Sequence, residues 1–273
     1  MNPLFPFEWI VATRFMREGR MQTLLIIGGV ALGVSVIVFI SALISGLQSN
    51  LFRRTLDFQA QIVILPPEEI ARPLRGLNNQ KANKQESVLV QARAQRLRSI
   101  DQWQKVRDQL LLMKNVTVVA PVVSGAGFVI RADANRAITL TGIEPENYLR
   151  LIALKDKIIA GSANVTSSDI LVGIELAKDM GVSMGDKLTL RTASGGTATL
   201  MISGIFDFGN KGQNQRAVYV AFRTAQSLLN LAGGASSLEV NVADPFSAEN
   251  IAQDIQAQTG LKVESWIATN AQF

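Results

Sequence analysis

The chain contains neither histidine nor cysteine, and these two absences remove most catalytic chemistry at the outset. Without them there is no Ser-His-Asp or Cys-His nucleophile pair, and zinc and the transition metals lose their preferred ligands. A disulfide framework is impossible, so any extracytoplasmic domain must rely on its apolar core. A phosphate-cradling G-x-x-x-x-G-K-[ST] loop is also missing: Gly181 to Lys187 has the wrong spacing, and Gly209-Asn-Lys-Gly212 lacks the first glycine and the hydroxyl residue. No catalytic residue, no cofactor and no metal site is therefore expected, and any use of ATP must come from a partner.

Charge is missing as well, over one stretch: none occurs between Arg20 and Arg53. Inside that gap Thr23 to Leu47 is apolar on every face, where a soluble core helix would be striped. At 1.5 Å per residue it makes a helix of about 37 Å, which crosses a hydrocarbon core of about 30 Å with some tilt. A secretory signal peptide fits poorly. Twenty-two residues precede the run, the run is too long for an h-region, and Ser41 to Ser49 offers no small-x-small cleavage site. We expect a retained transmembrane helix over 21–51. Arg14, Arg17 and Arg20 on one side against Arg53 and Arg54 on the other place the N terminus in the cytoplasm by the positive-inside rule.

Residues 1–20 read as an interfacial amphipathic helix that meets membrane lipid, anchored by Trp9, Phe15, Arg17 and Arg20. Within the span, Gly29 with Gly33 and Ala42 with Gly46 have the small-x-x-x-small spacing that lets a second helix approach closely. The net charge of +5 is concentrated: Arg72 to Arg107 carries nine basic residues against Glu86 and Asp101. Few aromatics are interleaved there and no reading motif is present, so a nucleic-acid partner is not expected. The stretch reads as a solvated loop, Ala71 to Glu86, running into a helix with a charged outer face.

After the span the pattern is mixed. Gln59 to Leu65 reads as a strand. Ser99 with Gln102 forms a capping box ahead of Ile100, Trp103, Val106, Leu110 and Met113 at helical spacing. Val116 to Val123, interrupted by Pro121, suits an edge strand, and Phe128 to Arg131 with Ala137 to Thr141 a hairpin. Gly173 opens a short helix carrying Leu176, Ala177 and Met180 inward, Gly181 ends it, and Gly185-Asp186 turns the chain into a strand over Leu188 to Leu190. Strands Thr199 to Phe206 and Ala217 to Ala221 bracket a polar loop, Gly209 to Arg216. Helix Arg223 to Leu231, strand Leu238 to Val242, helix Ala248 to Gln258 and strand Leu261 to Trp266 complete an α+β fold.

Three stretches resemble the extracytoplasmic domain of ABC transporter permeases of the MacB, LolC/LolE and FtsX group: Asn115 to Val122, Leu140 to Pro145, and Ile170 to Asp186, with support from Ile202 to Phe206 and Ser265 to Phe273. The most specific is the third, which holds Gly173, Leu176, Ala177, Gly181, Gly185 and Asp186. The resemblance implies a bacterial inner-membrane permease whose periplasmic domain moves when a separate cytoplasmic ATPase hydrolyses ATP. It also implies a second permease copy or paralogue and a possible periplasmic adaptor. It divides the domain into a porter-like part, 58–121 with 215–266, and an inserted part, 122–214, and makes 267–273 the approach to a second span. Family permeases have four spans, so the chain is expected to be the N-terminal portion of one. In the LolC branch a long hook loop receives a lipoprotein carrier. Here the link between Leu190 and Leu200 is nine residues, which argues against docking in that way.

Export of lipoprotein, lipid or small molecules is the function this implies. A single-span anchored adaptor that transports nothing is the alternative. A Ser/Lys hydrolase built on Ser183 and Lys187 is a third reading, but Ser183-Met184-Gly185 lacks the Ser-x-Met-x-Pro pattern and has a turn to explain it.

Overall fold

The computed structural model describes residues 7, 9, 11, 12, 14, 20–67 and 97–271. Phe15, Arg17, the 71–86 loop and the basic residues from Arg72 to Arg96 lie outside them. Arg20–Phe58 is one helix, α1, of 39 residues. Its stretch Met21–Leu47 is long and apolar enough to cross a membrane, and its large side chains there are exposed. Contacts divide the chain into two units, Met1–Thr55 and Leu56–Phe273.

Along the second unit run β1 (Ile62–Leu65), α2 (Trp103–Leu111), β2 (Val116–Arg131), β3 (Ala134–Ile143), α3 (Pro145–Leu151), β4 (Ile158–Gly161), β5 (Asp169–Gly173), α4 (Ile174–Met180), β6 (Lys187–Thr192), β7 (Thr197–Phe206), α5 (Lys211–Arg216), β8 (Ala217–Ala221), α6 (Phe222–Leu228), β9 (Ser237–Val242), α7 (Ala248–Thr259), β10 (Lys262–Ser265) and α8 (Trp266–Thr269). This is an α+β fold. The strands are ordered β10-β1-β9-β2-β3-β8-β5-β7-β4, with β6 paired to both β2 and β7. That last pairing closes a ring: β2, β3, β8, β5, β7 and β6 each bond to the next, and β6 returns to β2 through Gly127–Thr192 to Ile130–Thr189. Strand alternation then sends Leu140, Val172, Leu188, Leu190, Ile202 and Val218 into one buried cluster.

The 16-residue β2 belongs to two structures. From Val116 to Val122 it pairs with β9, and from Val122 to Arg131 with β3. The strand is thus longer and more central than the edge strand its sequence suggests. Pro121 is tolerated because it sits one residue before the partner changes, where the ladder toward β3 has not begun. The hairpin is also tighter than expected, with Arg131 opposite Ala134 and Ala132 at φ 48° in the turn.

Three further expectations need correction. The Ser99–Gln102 capping box does not form: the Ser99 hydroxyl accepts the Ala235 amide at 3.1 Å, and α2 starts after Gln102 at φ 50° without a side-chain cap. The polar stretch 209–216 contains α5, because Asn210 accepts the Gln213 amide at its N-terminus and Asn214 is buried. The last strand ends at Ser265, whose hydroxyl accepts the Ala268 amide and so starts α8 at Trp266.

Two apolar clusters lie on opposite faces of the open part of the sheet. Leu238, Val240 and Val242 of β9 join Trp103, Ile251 and Ile255 on one face. Ala120, Val122 and Ala60 join Tyr148 and Leu151 of α3 on the other, together with Phe206, Phe208 and Tyr219.

Candidate functional site

Three residues after α1, Gln61 ties three elements together. Its side-chain oxygen accepts the Val242 amide at 2.8 Å, its carbonyl accepts the Trp266 amide at 2.8 Å, and its own amide donates to Asn241 Oδ1 at 3.3 Å. Asn241 Nδ2 donates in turn to the Leu151 carbonyl at 2.7 Å, and Trp266 Nε1 to the Pro245 carbonyl at 2.7 Å. The entry of the chain into the sheet is therefore bonded to the end of β9, to the end of α3 and to the start of α8. A buried glutamine held in this way resists displacement, since freeing it would leave buried donors and acceptors unpaired.

Beside this joint Glu239 is half-buried on the α3 face, opposite Val63 and Ala120. Burial pushes its carboxyl up to about 7. Tyr148 and Tyr219 hold their rings 5.9 Å apart nearby, and burial together with the Glu239 charge pushes both phenols up. Around Tyr219 the rings of Phe206 and Phe208 stand at 5.5 and 6.4 Å, and Phe58 at the end of α1 meets Phe208 edge-on at 5.2 Å. Lys157 lies 5.3 Å from the Phe58 ring.

The stretch Gly173 to Asp186 is a packed helix and turn. Gly173 has no room for a side chain, because a Cβ there would overlap the Asn214 carbonyl and lie 2.6 Å from its Cα. Asn214 is itself fixed, donating to Asp207 at 2.7 Å and accepting from the Phe208 amide at 3.0 Å. The Gly209 amide and the Asn214 side chain, both donating to Asp207, pull that carboxyl below its ordinary range. Leu176 and Ala177 are buried. Gly181 closes α4 at φ 61°, with the Val182 amide bonded to Ala177 and its own amide to Lys178. Gly185 turns at φ 84° and donates to Ile202, while Asp186 accepts the Ser183 amide at 3.0 Å. Arg131 donates to the Met180 and Gly181 carbonyls and pairs with Asp186 at 3.5 Å, which locks this turn to the end of β2.

Gly29, Gly33, Ala42 and Gly46 lie on α1, and the three glycines have open space where a Cβ would be. Arg20 is the first residue of α1, and Trp9 is exposed. Ser183 and Lys187 are both exposed, with the Ser183 amide held by Asp186. The link between Leu190 and Leu200 is a hairpin turned onto its own domain: Thr192 and Ser194 hydroxyls donate to the Leu228 carbonyl at 2.6 and 2.9 Å. Beside it opens a groove of about 920 Å³ lined by Leu97, Arg98, Leu229 and Leu231.

Sequence reasoning missed Gln61, Asn241, Glu239 and Arg131. The polar set Ser237, Glu239 and Asn241 alternates with Leu238, Val240 and Val242, which reads as a strand with one wet face; α3 covers that face instead.

Curated relatives align along almost the whole chain. The lipoprotein-releasing system transmembrane protein LolC of Neisseria meningitidis is 21% identical over 291 residues, covering 99% of this chain and 63% of its own length. Its namesake from Xylella fastidiosa is 21% identical over 286 residues, covering 97% of this chain and 62% of its own. The chain thus spans less than two thirds of the length of these relatives. Among solved structures, the periplasmic region of MacB from Actinobacillus actinomycetemcomitans aligns with a TM-score of 0.49 at 11% identity, over 80% of this chain and 94% of that one. The extracellular domain of the noncanonic ABC-type transporter YknZ from Gram-positive bacteria aligns with a TM-score of 0.45 at 13% identity, over 59% and 87%. A family model described as the MacB-like periplasmic core domain matches residues 23–258, from the first turn of α1 through the joint, β2 and the Gly173–Asp186 turn into α7; on that match the chain belongs to the MacB-like periplasmic core domain family.

Proposed function

We propose that the chain is the N-terminal portion of a permease subunit of an ABC transporter, anchored in the bacterial inner membrane by α1 with its N terminus in the cytoplasm and its main domain in the periplasm. A separate cytoplasmic ATPase supplies the energy, a second permease copy or paralogue completes the membrane part, and a periplasmic adaptor is a further partner. The observation that carries this reading is a single family match that begins inside the apolar helix and runs on through the domain, so that span and domain are one inherited unit. The LolC relatives favour lipoprotein, lipid or small-molecule export.

The geometry suits mechanical work. Gln61 bonds the chain leaving α1 to β9, and the same residue bonds α8, so a displacement of either end loads the sheet rather than a loop. We assign 58–121 with 215–266 to the porter-like part and 122–214 to the inserted part, with 267–273 leading to a second span. Gly173, Leu176, Ala177, Gly181, Gly185 and Asp186 serve as structural residues of the inserted part, and Gly29, Gly33, Ala42 and Gly46 as the packing face of the span. The test is to tag the native gene, purify the product in mild detergent and identify what accompanies it. An ABC ATPase in stoichiometric amount is expected. A product that repeatedly brings down no ATPase would replace this reading by the anchored adaptor.

A further inference from the structure

The helix α3 covers two polar side chains of β9 that share a face, Glu239 and Asn241, and their situations differ. Asn241 is satisfied: it accepts the Gln61 amide at 3.3 Å and donates to the Leu151 carbonyl at 2.7 Å, which pins the C-terminal end of α3. Glu239 is not. No hydrogen bond or ion pair among the described residues reaches its carboxyl, and burial alone displaces its titration.

The surroundings offer it no counter-charge. Its neighbours across the ladder are Val63 and Ala120, and neither β1 nor Val116 to Val122 of β2 contains a charged residue. The titratable groups that face it are Tyr148, from α3, and Tyr219, from β8, whose phenols both feel its charge. On α3 itself, Glu146 and Arg150 are exposed, and Glu144 at its start accepts the Asn147 side chain at 3.2 Å. In the turn that follows, Lys155 and Asp156 are exposed and Lys157 lies against the Phe58 ring. Asp207, at the end of β7, is held by the Gly209 amide and Asn214.

We propose that α3 is a flap held down by the proton on Glu239: while the acid is neutral the helix stays packed across β9, and when the carboxyl ionises the helix loosens and admits water. A neutral acid costs little in this layer, whereas a carboxylate without a partner is expensive to keep dry. α3 is the element that yields. It is seven residues long and has no ladder bonds, while β1, β9 and β2 are tied strand to strand around Glu239. The proposal rests on neither the span nor the transport reading, so its failure leaves both standing.

The direction follows from linkage. The carboxyl titrates at about 7 with α3 packed and at about 4.5 once in water, so loosening releases a proton. The ratio of loosened to packed helix therefore rises with pH through this window and levels off above about 7. From about pH 5.5 to about pH 8 the full shift gives a rise of about 25-fold, and because Glu239 is only half-buried, about tenfold is expected.

Hydrogen exchange of the full chain in detergent, corrected for the intrinsic effect of pH, reads this at the Tyr148 and Ile152 amides, which donate to the Glu144 and Tyr148 carbonyls. The wild type is expected to lose about tenfold protection there between about pH 5.5 and about 8, with Leu188 to Leu190 unchanged, and Glu239→Gln to show no such loss. Tyr148→Phe keeps the ring and should keep the pH dependence. Protection in α3 that does not vary with pH, or that varies equally in Glu239→Gln, would overturn the proposal. A loss shared equally by Leu188 to Leu190 would overturn it in favour of unfolding of the whole domain, and its disappearance in Tyr148→Phe would overturn it by moving the proton to the phenol.

Discussion

Replacing Glu239 by glutamine should make the domain more stable at alkaline pH and leave it unchanged at acid pH. The carboxyl titrates at about 7 in the folded chain because burial opposes its charge, against about 4.5 in an open one. The folded state therefore keeps its proton over a range in which the unfolded state has lost it. The stability this confers is fully present below about pH 4.5 and disappears as pH rises through about 7. Above that, the ionised carboxylate costs up to about 3 kcal/mol, and because Glu239 is only half-buried, about 2 kcal/mol is the figure to expect. Glutamine is isosteric with the protonated acid and cannot ionise. The difference between variant and wild type should thus be near zero at about pH 4.5 and about 2 kcal/mol in favour of the variant at about pH 8.5.

For a domain the size of Leu56–Phe273 that difference moves the midpoint of thermal unfolding by about 4–8 °C. The full chain in detergent, melted at intervals from about pH 4.5 to about 8.5 and followed by near-ultraviolet circular dichroism, gives the measurement. Taking the variant minus wild-type difference cancels the other carboxylates, Asp207 among them, whose lowered range lies below this window. A difference that is constant with pH, or a wild type that gains on the variant as pH rises, would refute the assignment of the buried proton to Glu239.

Gly173→Ala should lower stability by about 2 kcal/mol, read as a lower melting midpoint, because the new methyl meets the Asn214 backbone and neither strand nor helix can give way. Gln61→Leu should cost about 1–3 kcal/mol by leaving the Val242 amide unpaired; hydrogen exchange should accelerate at Val242 and Trp266 while Leu188 to Leu190 in the ring of strands stay protected. In the membrane, Gly29→Leu with Gly33→Leu should leave the domain's melting unchanged and reduce recovery of partner subunits in mild detergent, and unchanged recovery would remove those glycines from the packing face.

Much of the domain was legible in the sequence because local chemistry and global fold agree. Gly181 and Gly185 have positive φ, so their identity announces the turns they make. The apolar face of α2 was visible at helical spacing even though its cap was misread: the Ser99 hydroxyl is drawn away by the Ala235 amide, 136 residues distant in the chain. That kind of competition has no local signature. The same holds for Glu239 and Asn241, where a strand pattern is identical whether water or α3 lies over the polar face. Gly173 shows the opposite case: its φ is ordinary, and the reason for glycine is the backbone of Asn214, brought against it from a distant part of the chain.

The long-range features share one consequence for how the domain could transmit force. β2 passes without interruption from the open sheet into the closed ring of strands, and the proposed boundary at 121/122 falls inside it. A hinge there would have to break ladder bonds to β9 or to β3, each of which is buried. Arg131 at the far end of the same strand is bonded to the turn after α4, and Val116 at the near end is paired to β9 one residue from the Ala243 contact. A push delivered at Gln61 therefore passes to β9, across the β9–β2 ladder and along β2 to the Gly181–Asp186 turn without crossing a loop. The porter-like and inserted parts should accordingly move together, as one lever, and the soft points should be sought outside β2.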